Sequence, residues 1–318
     1  MLLVLGWTLI LAFGVYLLVK GADLLVEGGS NIAAYLGVST LIIGLTLVSF
    51  GTSLPELASS LNALFKGRSG ISVGNVIGSN IANILLVLGV SSIIKPISVD
   101  RGIIKREIPM MFGAMGLFLL FAGPFLSSSY RIERWQGIGL LVALIAYLLF
   151  FGSAVMKEKG LEVEVEIEPE VNFNWPKNIS KVTVGIIGVI IGSELAIRSA
   201  VFYIERFDLI EGVVGLTIIA IATSLPELST SAVAAFKEHA NISLGNVIGS
   251  NTFNVLMVIG ISAALLPLTF SGEIYSSFVI MVGASVFLTT SMYTGKKLSR
   301  IEGVVMLVGY FAYLVYLF

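Results

Sequence analysis

The chain has 318 residues and a net charge of −1, with 56% hydrophobic and only 12% charged residues and a mean hydropathy of +0.98. Soluble domains usually carry about 25% charged residues, so the composition excludes an ordinary soluble protein and predicts an integral membrane protein. The absence of cysteine excludes disulfides and thiolate metal sites. The sequence also lacks the basic cluster that would indicate nucleic-acid binding.

Ten apolar segments follow one another along the chain, each long enough to cross a bilayer, which takes about 20 residues. The first lacks a basic leader and a cleavage signature, so we interpret it as a retained helix rather than a signal peptide. The segments are too long and too uniformly apolar for barrel strands, which favours helices. The predicted spans are 2–20, 32–65, 71–95, 104–126, 135–155, 181–203, 212–236, 242–267, 274–293 and 301–318.

Residues 156–178, between the fifth and sixth spans, differ from the rest of the chain. They are rich in charge and contain two prolines, which predicts a solvent-exposed linker between two domains, 1–155 and 179–318. The alternation of valine and glutamate from Leu161 to Ile167 also leaves open a short strand or a cation site. A solvated connector is the simpler interpretation.

The two domains contain copies of one sequence. Residues 44–96 align without a gap with the residues 171 positions later, and roughly half of the pairs are identical. Because the first copy contains an odd number of spans, five, the second copy must enter the membrane in the opposite orientation. We therefore predict an all-α integral membrane protein with ten transmembrane helices in two inverted five-helix repeats, an arrangement found in many secondary transporters.

The loop charges predict the orientation in the membrane. With the N-terminus outside, most lysines and arginines, including those of the linker, fall on the inner side, as the positive-inside rule requires. This predicts a multi-pass protein of the cell membrane with its N-terminus outside and its linker in the cytoplasm. The outer side then carries only Lys66, Arg68, Arg131, Arg134, Arg198 and Arg206.

The sequence TSLPE occurs inside an apolar span of each copy, at 52–56 and 223–227. Pro55 has no N–H for the carbonyl of Gly51 and its ring clashes there, so the helix is predicted to kink or break, as it is at Pro226. Carbonyl oxygens just before each proline, at about 49–52 and 220–223, would then be freed. Such oxygens persist at membrane depth only where they are buried in protein or line a cavity.

Each of these motifs also places hydroxyl groups three or four residues before a carboxylate, on one helix face. An ionised carboxylate at the bilayer centre costs at least a few kcal/mol, and no lysine or arginine lies near either one in its apolar run. We therefore expect the missing positive charge to come from transported cations. The residues concerned are Thr52, Ser53 and Glu56 in the first copy and Thr223, Ser224 and Glu227 in the second.

A second motif, GNVIGSN, occurs at 74–80 and 245–251 and is followed by another asparagine in each copy. Its glycines form GxxxG faces that allow close helix packing. Asn80 and Asn251 lie on another face, from which they can bond the broken helices. For the asparagines, interhelical hydrogen bonding and cation binding both remain open. The polar stripes are Asn75, Ser79 and Asn83 in the first copy and Asn246, Ser250 and Asn254 in the second.

Together these groups offer only oxygen ligands, from carboxylates, amides, hydroxyls and carbonyls. Such a set suits hard cations such as Ca²⁺ or Na⁺ rather than Zn²⁺ or Cu²⁺. The one histidine, His239, lies in a loop beside Lys237 and Glu238 and is expected to be solvated. The two glutamates supply a charge of −2, which one Ca²⁺ or several Na⁺ can neutralise. No cofactor is expected, and Ca²⁺ is not distinguished from other divalent cations.

The sequences GTSLPEL with GNVIGSNIANILLVLG and ATSLPEL with GNVIGSNTFNVLMVIG resemble the two α-repeats of the cation/Ca²⁺ exchanger superfamily, most closely its microbial Na⁺/Ca²⁺ exchanger branch. The resemblance covers the whole ten-helix layout. It implies that the second, third, seventh and eighth helices surround a diamond of cation sites. It implies Ca²⁺ and Na⁺ as transported ions and a lipid bilayer as surroundings, and no obligatory protein partner is evident.

The motif match also implies a role for individual residues. Glu56 and Glu227 are the implied Ca²⁺ carboxylates, shared with Na⁺. The implied Na⁺ ligands are mainly Thr52, Thr223, Ser79 and Ser250. Ser53 and Ser224 are implied to support the site, and the backbone carbonyls of Ser49 and Ala220 to contribute oxygen. Asn83 and Asn254, from the polar stripes, complete the predicted metal-site residues.

Other couplings and other classes of protein remain alternatives. Some relatives carry aspartate in place of Asn83 or Asn254, and the potassium-dependent branch relies on such an acid, so potassium co-transport is disfavoured here. The proton-coupled branch usually shows a GN-type signature before its glutamate, which makes H⁺/Ca²⁺ exchange the second choice. A cation channel also uses an oxygen-lined path. An intramembrane enzyme is disfavoured, since the chain lacks HExxH and has no paired aspartates in its apolar runs.

For an exchanger, we expect alternating access. Only the site neutralised by cations becomes occluded, because an empty, doubly charged site is costly to bury. The long first and sixth helices, which the sequence pattern ties only weakly to the rest, are expected to slide or rock.

Overall fold

The computed structural model describes residues 2–99, 103–122, 130–158, 173–206 and 223–317, and most of them are helical. The helices are α1 Leu2–Leu36, α2 Thr40–Ile43, α3 Ser49–Thr52, α4 Leu54–Phe65, α5 Ser69–Ala82, α6 Leu88–Ile94, α7 Ile108–Ala122, α8 Arg134–Glu158, α9 Trp175–Arg206, α10 Leu225–Phe236, α11 Ala240–Phe253, α12 Gly260–Leu265, α13 Gly272–Gly295 and α14 Arg300–Tyr316. Segments of π-helix lie at Gly44–Val48, Asn83–Val87, Ile103–Glu107 and Asn254–Ile259. The short strands among the described residues are β1 Ile97–Ser98, β2 Arg131–Ile132, β3 Leu268–Thr269 and β4 Lys297–Leu298.

The helices have the lengths and surfaces of a multi-pass membrane protein. Within the described residues, seven continuous helical segments are long and apolar enough to cross a membrane. Their outer faces expose large apolar side chains such as Leu149, Val308 and Phe311. Exposed apolar surface on this scale is rare on soluble monomers and fits contact with lipid.

The first helix is much longer than the sequence indicated. The span predicted at 2–20 continues to Leu36, so the second predicted span, 32–65, began inside α1 and was wrong at its start. Gly37 ends α1 with a φ of +66°, and the N–H of Val38 donates to the carbonyl of Ala33 at 3.0 Å. This is a glycine-terminated helix end, and apolar residues on both sides of it hid the boundary.

The ends of the predicted linker are helical. α8 continues to Glu158 and α9 begins at Trp175, so residues 156–158 and 175–178 belong to helices. The alternating segment 161–167 lies outside the described residues, as does the beginning of the seventh predicted span, 212–222. From Leu225 onward that span is helical.

The long helices α1 and α9 pack against each other along a seam of glycines. A Cβ on Gly21 would lie 2.7 Å from the backbone nitrogen of Val189, and a Cβ on Gly14 would lie 3.0 Å from the carbonyl oxygen of Gly192. At such distances the two backbones touch, so any side chain at these positions would separate the helices. The two helices are therefore fastened to each other, a contact that the sequence did not predict.

The two sequence copies are joined by packing and by short ribbons. β1 pairs with β4 and β2 pairs with β3, both antiparallel, so each ribbon joins the first copy to the second. The main apolar core includes Ile84 and Leu88 from the first copy and Val255 and Ile259 from the second, all fully or almost fully buried. This core surrounds α5 and α11, which carry the repeated polar stripes.

The GxxxG face of the second copy packs as the sequence predicts. A Cβ on Gly245 would lie 2.5 Å from the carbonyl oxygen of Leu41, and one on Gly249 would lie 2.5 Å from that of Leu45. α11 therefore lies directly against the polypeptide that leads into α3. The equivalent neighbours of the first copy, within 212–220, lie outside the described residues.

Candidate functional site

Both TSLPE motifs interrupt a helix, as predicted. α3 ends at Thr52, Ser53 forms a turn, and α4 begins at Leu54 with Pro55 in its first turn. Proline is favourable there, because the first turn of a helix has no internal partner for its N–H groups. In the second copy the turn is at Ser224.

One detail of the predicted break is wrong. The backbone carbonyl of Ser49 is not freed, since it accepts a hydrogen bond from the N–H of Ser53 at 3.0 Å. It also accepts a longer hydrogen bond from Thr52 Oγ1, at 3.4 Å, so an ion at this oxygen would have to replace that contact. The second predicted carbonyl, that of Ala220, lies outside the described residues.

The breaks place each glutamate in the first turn of a new helix. Glu56 lies in the first turn of α4 and Glu227 in that of α10, and both side chains have 0% exposure. A helix N-terminus favours a negative charge. The carbonyl end of α3 points toward the same break, and half-helix ends of this kind coordinate cations in transporters.

The two carboxyl groups share one buried region. Their segments belong to different copies and touch each other, since Thr52, four residues before Glu56, contacts Ser250, and Thr223, four residues before Glu227, contacts Ser79. No described residue donates a hydrogen bond to any of their four oxygens, and none of the ion pairs formed by the described residues involves either glutamate. An unpaired buried charge is very costly, so this pair needs cations or protons.

Hydroxyl groups from the two copies meet beside the carboxylates. Thr52 Oγ1 lies 3.1 Å from Asn246 Oδ1 and 3.3 Å from Ser250 Oγ. In the equivalent arrangement, Thr223 Oγ1 lies 3.2 Å from Ser79 Oγ. Thr52 and Ser250 are also neighbours of the Glu227 carboxyl group, although neither makes a hydrogen bond to its oxygens. The structure thus brings these predicted site residues together.

The asparagines after each GNVIGSN motif bond across the two copies. Asn83 Nδ2 donates to Asn251 Oδ1 at 3.1 Å, and Asn254 Nδ2 donates to Asn80 Oδ1 at 3.0 Å. Asn80 and Asn251 each donate to the other's backbone carbonyl, at 3.2 and 3.3 Å. The expectation that these two bond to the broken helices is therefore wrong, because α5 and α11 lie against each other.

These asparagines serve as structural links and also leave oxygens available. The Oδ1 atoms of Asn83 and Asn254 are buried and accept no hydrogen bond from a described residue. A π-helical segment begins at each of the two residues, and such segments often mark functional sites. Both interpretations left open by the sequence thus fit the same side chains.

The oxygens without hydrogen-bond partners form a set that suits a hard cation. Ca²⁺ takes six to eight oxygen ligands from carboxylates, carbonyls, amides and water. Among the predicted site residues, the buried oxygens without a described hydrogen-bond partner are both carboxylate oxygens of Glu56 and Glu227, the Oγ atoms of Ser53 and Ser224, and the Oδ1 atoms of Asn83 and Asn254.

One pair of supporting contacts was not predicted from the sequence. Asn75 Nδ2 donates to Ser60 Oγ at 3.2 Å, and Asn246 Nδ2 donates to Ser231 Oγ at 3.0 Å. These contacts hold each polar stripe against the helix that carries the glutamate. The signal was present, since the same serine and asparagine recur fifteen residues apart in both copies.

Comparison with known proteins gives a consistent picture. A family model described as "Sodium/calcium exchanger protein" matches residues 6–152 and 179–318. The chain is 35% identical to the putative antiporter CaxA of Alkalimonas amylolytica, over 98% of each chain. It is 34% identical to the sodium/calcium exchanger MaX1 of Methanosarcina acetivorans, again over 98% of each.

Solved structures of the sodium-calcium exchanger NCX_Mj have a similar fold. The structure soaked with 2.5 mM Na⁺ and 10 mM Sr²⁺ matches with a TM-score of 0.83 and 31% identity, covering 98% of this chain and 99% of the other. The structure soaked with zero Na⁺ and Ca²⁺ matches with the same TM-score, 30% identity and 99% coverage of both chains.

Proposed function

The chain belongs to the sodium/calcium exchanger protein family, and we propose that this cation/Ca²⁺ antiporter couples Ca²⁺ transport to Na⁺, with Glu56 and Glu227 as carboxylates shared by both ions. The family consists of transporters, so the chain is not an enzyme. The observation that carries the proposal is the convergence of two fully buried carboxyl groups whose oxygens have no hydrogen-bond partner among the described residues.

Charge balance provides the coupling. One Ca²⁺ or several Na⁺ neutralise the two glutamates, and both ions use the same oxygens, so they compete rather than bind together. Without either ion the site holds two like charges in a low-dielectric region, where burial is strongly unfavourable. The site then closes only when loaded, and each crossing carries one kind of ion.

The remaining residues divide by the kind of oxygen that they offer. Thr52, Thr223, Ser79 and Ser250 supply neutral hydroxyls, which suit Na⁺ better than a divalent ion because they add no charge. The hydroxyls of Ser53 and Ser224, at the two helix breaks, support the cation site. The amides of Asn83 and Asn254, and the backbone carbonyls of Ser49 and Ala220, complete the proposed ligand set.

We further propose ten transmembrane helices in two inverted repeats, 1–155 and 179–318, joined by the linker 156–178, with the N-terminus outside. Support comes from features that recur 171 residues apart: the interrupted helices, the buried glutamates and the π-helical segments that begin at Asn83 and Asn254. An odd number of spans in each copy would place the equivalent turns of the two copies on opposite sides of the membrane.

Transport in proteoliposomes tests the coupling. Vesicles are loaded with Na⁺, with K⁺ or with a proton gradient but no Na⁺, and uptake of radioactive Ca²⁺ is followed. We expect uptake only from Na⁺-loaded vesicles, stopped when Na⁺ is equal on both sides. Uptake driven by the proton gradient alone would instead establish H⁺/Ca²⁺ exchange. Uptake that is independent of every gradient would indicate a channel.

A further inference from the structure

We propose that two carboxylates on the α1–α9 pair, Asp23 and Glu194, alternately form ion pairs with Lys237 and Lys66, and that these pairs hold the exchanger in its two access states. The inference rests on the proposed function, because it assigns the residues that position the moving helices during exchange. None of the four residues belongs to the proposed cation ligands.

The first ion pair is formed in the structure. Asp23, on α1, pairs with Nζ of Lys237, which directly follows α10, the helix that carries Glu227. The side chains are 30% and 33% exposed, so water screens them only partly. α1 also packs along α10. The pair therefore fastens α1 to the second sequence copy, at the far end of the helix that begins with the Glu227 turn.

The equivalent pair is not formed. Glu194 and Lys66 occupy the positions that correspond to Asp23 and Lys237 under the 171-residue offset. Instead, Glu194 Oε1 accepts a hydrogen bond from Nε of Arg198 at 2.6 Å, and Lys66 makes no ion pair with any described residue. α9 packs on α3, but α4, which precedes Lys66, is not among its main neighbours. The Asp23–Lys237 ion pair is thus formed, whereas the equivalent Glu194–Lys66 pair is not.

The two carboxylates are connected by a rigid unit. The glycine seam holds α1 and α9 in backbone contact, and the seam is supplemented by a Lys181 Nζ to Glu27 Oε1 ion pair at 2.7 Å and an Asn31 Nδ2 to Asn178 Oδ1 hydrogen bond at 3.0 Å. Because α1 and α9 move together, a shift that brings Glu194 to Lys66 withdraws Asp23 from Lys237. The two ion pairs then exclude each other.

Arg198 explains why the second pair can open. It stands where the first copy has Glu27, so Glu194 has a basic residue one turn later on its own helix. Asp23 has Lys20 one turn earlier, with 4.0 Å between Nζ and Oδ2, but Lys237 is its closer partner. The side chains of Arg198 and Glu194 are 66% and 55% exposed. Exposed pairs of this kind are weak, so Arg198 can hold the carboxylate temporarily and release it to Lys66.

Cross-linking tests the proposal directly, because the natural chain contains no cysteine. We would prepare D23C/K237C, K66C/E194C and the control D23C/K66C in proteoliposomes. The Cα atoms of a lysine–carboxylate ion pair lie farther apart than a direct disulfide allows. A short bifunctional thiol reagent with a cleavable link is therefore used. We expect both equivalent pairs to cross-link, each blocking Ca²⁺ exchange until the link is cleaved, and the control pair not to react.

Further variants separate switching from simple stabilisation. Adding K237Q to K66C/E194C should raise the yield of the 66–194 cross-link about twofold, the change expected from losing one weak ion pair. A merely structural Lys237 would leave that yield unchanged or lower it. The matched control adds the charge exchange D23K/K237D to K66C/E194C instead. This exchange restores an ion pair of reversed polarity at 23–237, so the yield should return to the level of K66C/E194C alone.

The possible results are distinct. Failure of the 66–194 pair to cross-link while 23–237 does, or an unchanged yield with K237Q, would overturn the alternating pairs. If the unmodified protein shows no Na⁺-driven Ca²⁺ uptake, the proposed function fails instead. Normal uptake with failed cross-linking refutes only the alternating ion pairs.

Discussion

The segments α3–α5 and α10–α11, with the turn before α10, carry the same two motifs yet differ in their surroundings. Both glutamates have 0% exposure, but Thr52 is 1% exposed and Thr223 8%, and Asn246 is fully buried whereas Asn75 is partly exposed. The described neighbours also differ, since α11 packs on residues 41–49, whereas the equivalent residues 212–220 lie outside the described part of the chain. Identical local chemistry therefore does not by itself fix how deeply each motif is buried.

The largest effect is expected where the two copies are most alike. Replacing Glu56 or Glu227 by glutamine removes one of two charges and should lower Na⁺-driven Ca²⁺ uptake at least about 100-fold, since losing one partner of a buried charge interaction costs about 3 kcal/mol or more. Glu133→Gln, at an exposed ion pair with Arg131, is the control and should transport normally. Near-normal uptake in both site variants would contradict a shared carboxylate site.

The hydroxyl pairs test whether the two copies contribute equally to Na⁺ binding. Thr52→Ala and Thr223→Ala each remove one neutral oxygen and leave its partner, Ser250 or Ser79, in place. A lost hydrogen bond or neutral ligand is worth about 1 kcal/mol, so the Na⁺ concentration for half-maximal exchange should rise roughly fivefold. Titrating Na⁺ at fixed Ca²⁺ measures this. A roughly fivefold loss of Ca²⁺ affinity, with no change in the Na⁺ concentration for half-maximal exchange, would argue against the assigned role as Na⁺ ligands.

The cross-copy asparagines are expected to act on stability. Asn80→Ala or Asn251→Ala removes the acceptor of the buried Asn254 or Asn83 amide and the side-chain bond to the other helix's backbone carbonyl, and it should cost about 2 kcal/mol. Thermal unfolding of the detergent-solubilised protein provides the measurement. Because the two side chains belong to one network, the double variant should cost less than the sum of the single ones. Full additivity would show that the contacts are independent.

The smallest effect concerns the turns after α4 and α10. Gly67 has a φ of +71°, and the equivalent residue Glu238 has a φ of +65°. Gly67→Ala should destabilise by about 1 kcal/mol, because a Cβ is unfavourable in this conformation, whereas Glu238→Gly should stabilise. Unfolding temperatures of both variants, compared with the unmodified protein, test this difference.

The gain from Glu238→Gly should depend on pH. A hydrogen bond from Lys95, at 2.7 Å, and its positive charge lower the pKa of Glu238. A lowered folded pKa means that the pair stabilises above the unfolded pKa of about 4.3 and is lost as pH falls through the folded value. Glu238→Gly should therefore stabilise more in acid than at neutral pH. The opposite trend would show that Lys95 does not favour the charged form.

Much of the site could be predicted from local sequence because its causes are local. Pro55 and Pro226 interrupt their helices through a missing N–H, whatever surrounds them. A carboxylate in an apolar run indicates a buried, functional group on energetic grounds alone. The repeat offset then fixes which residues are equivalent, so Glu56 and Glu227 could be assigned as a pair before any contact was known.

Other features depended on packing between distant parts of the chain. The end of α1 at Gly37 lies between apolar residues, where hydropathy does not change, and the bond from Asn80 to Asn251 depends on α5 and α11 lying side by side. The π-helical segments at Asn83 and Asn254 have no distinct composition. Each of these results from tertiary contact rather than from local preference.

By itself, the sequence determined the membrane class, the duplicated polar motifs, the broken helices and the oxygen chemistry of the candidate site, because each follows from backbone geometry or from the cost of charge in lipid. The tertiary structure alone decided that Asp23 pairs with Lys237 while Glu194 stays with Arg198. Equivalent residues in a repeat have the same chemistry, and only the position of the helices between them selects which ion pair forms.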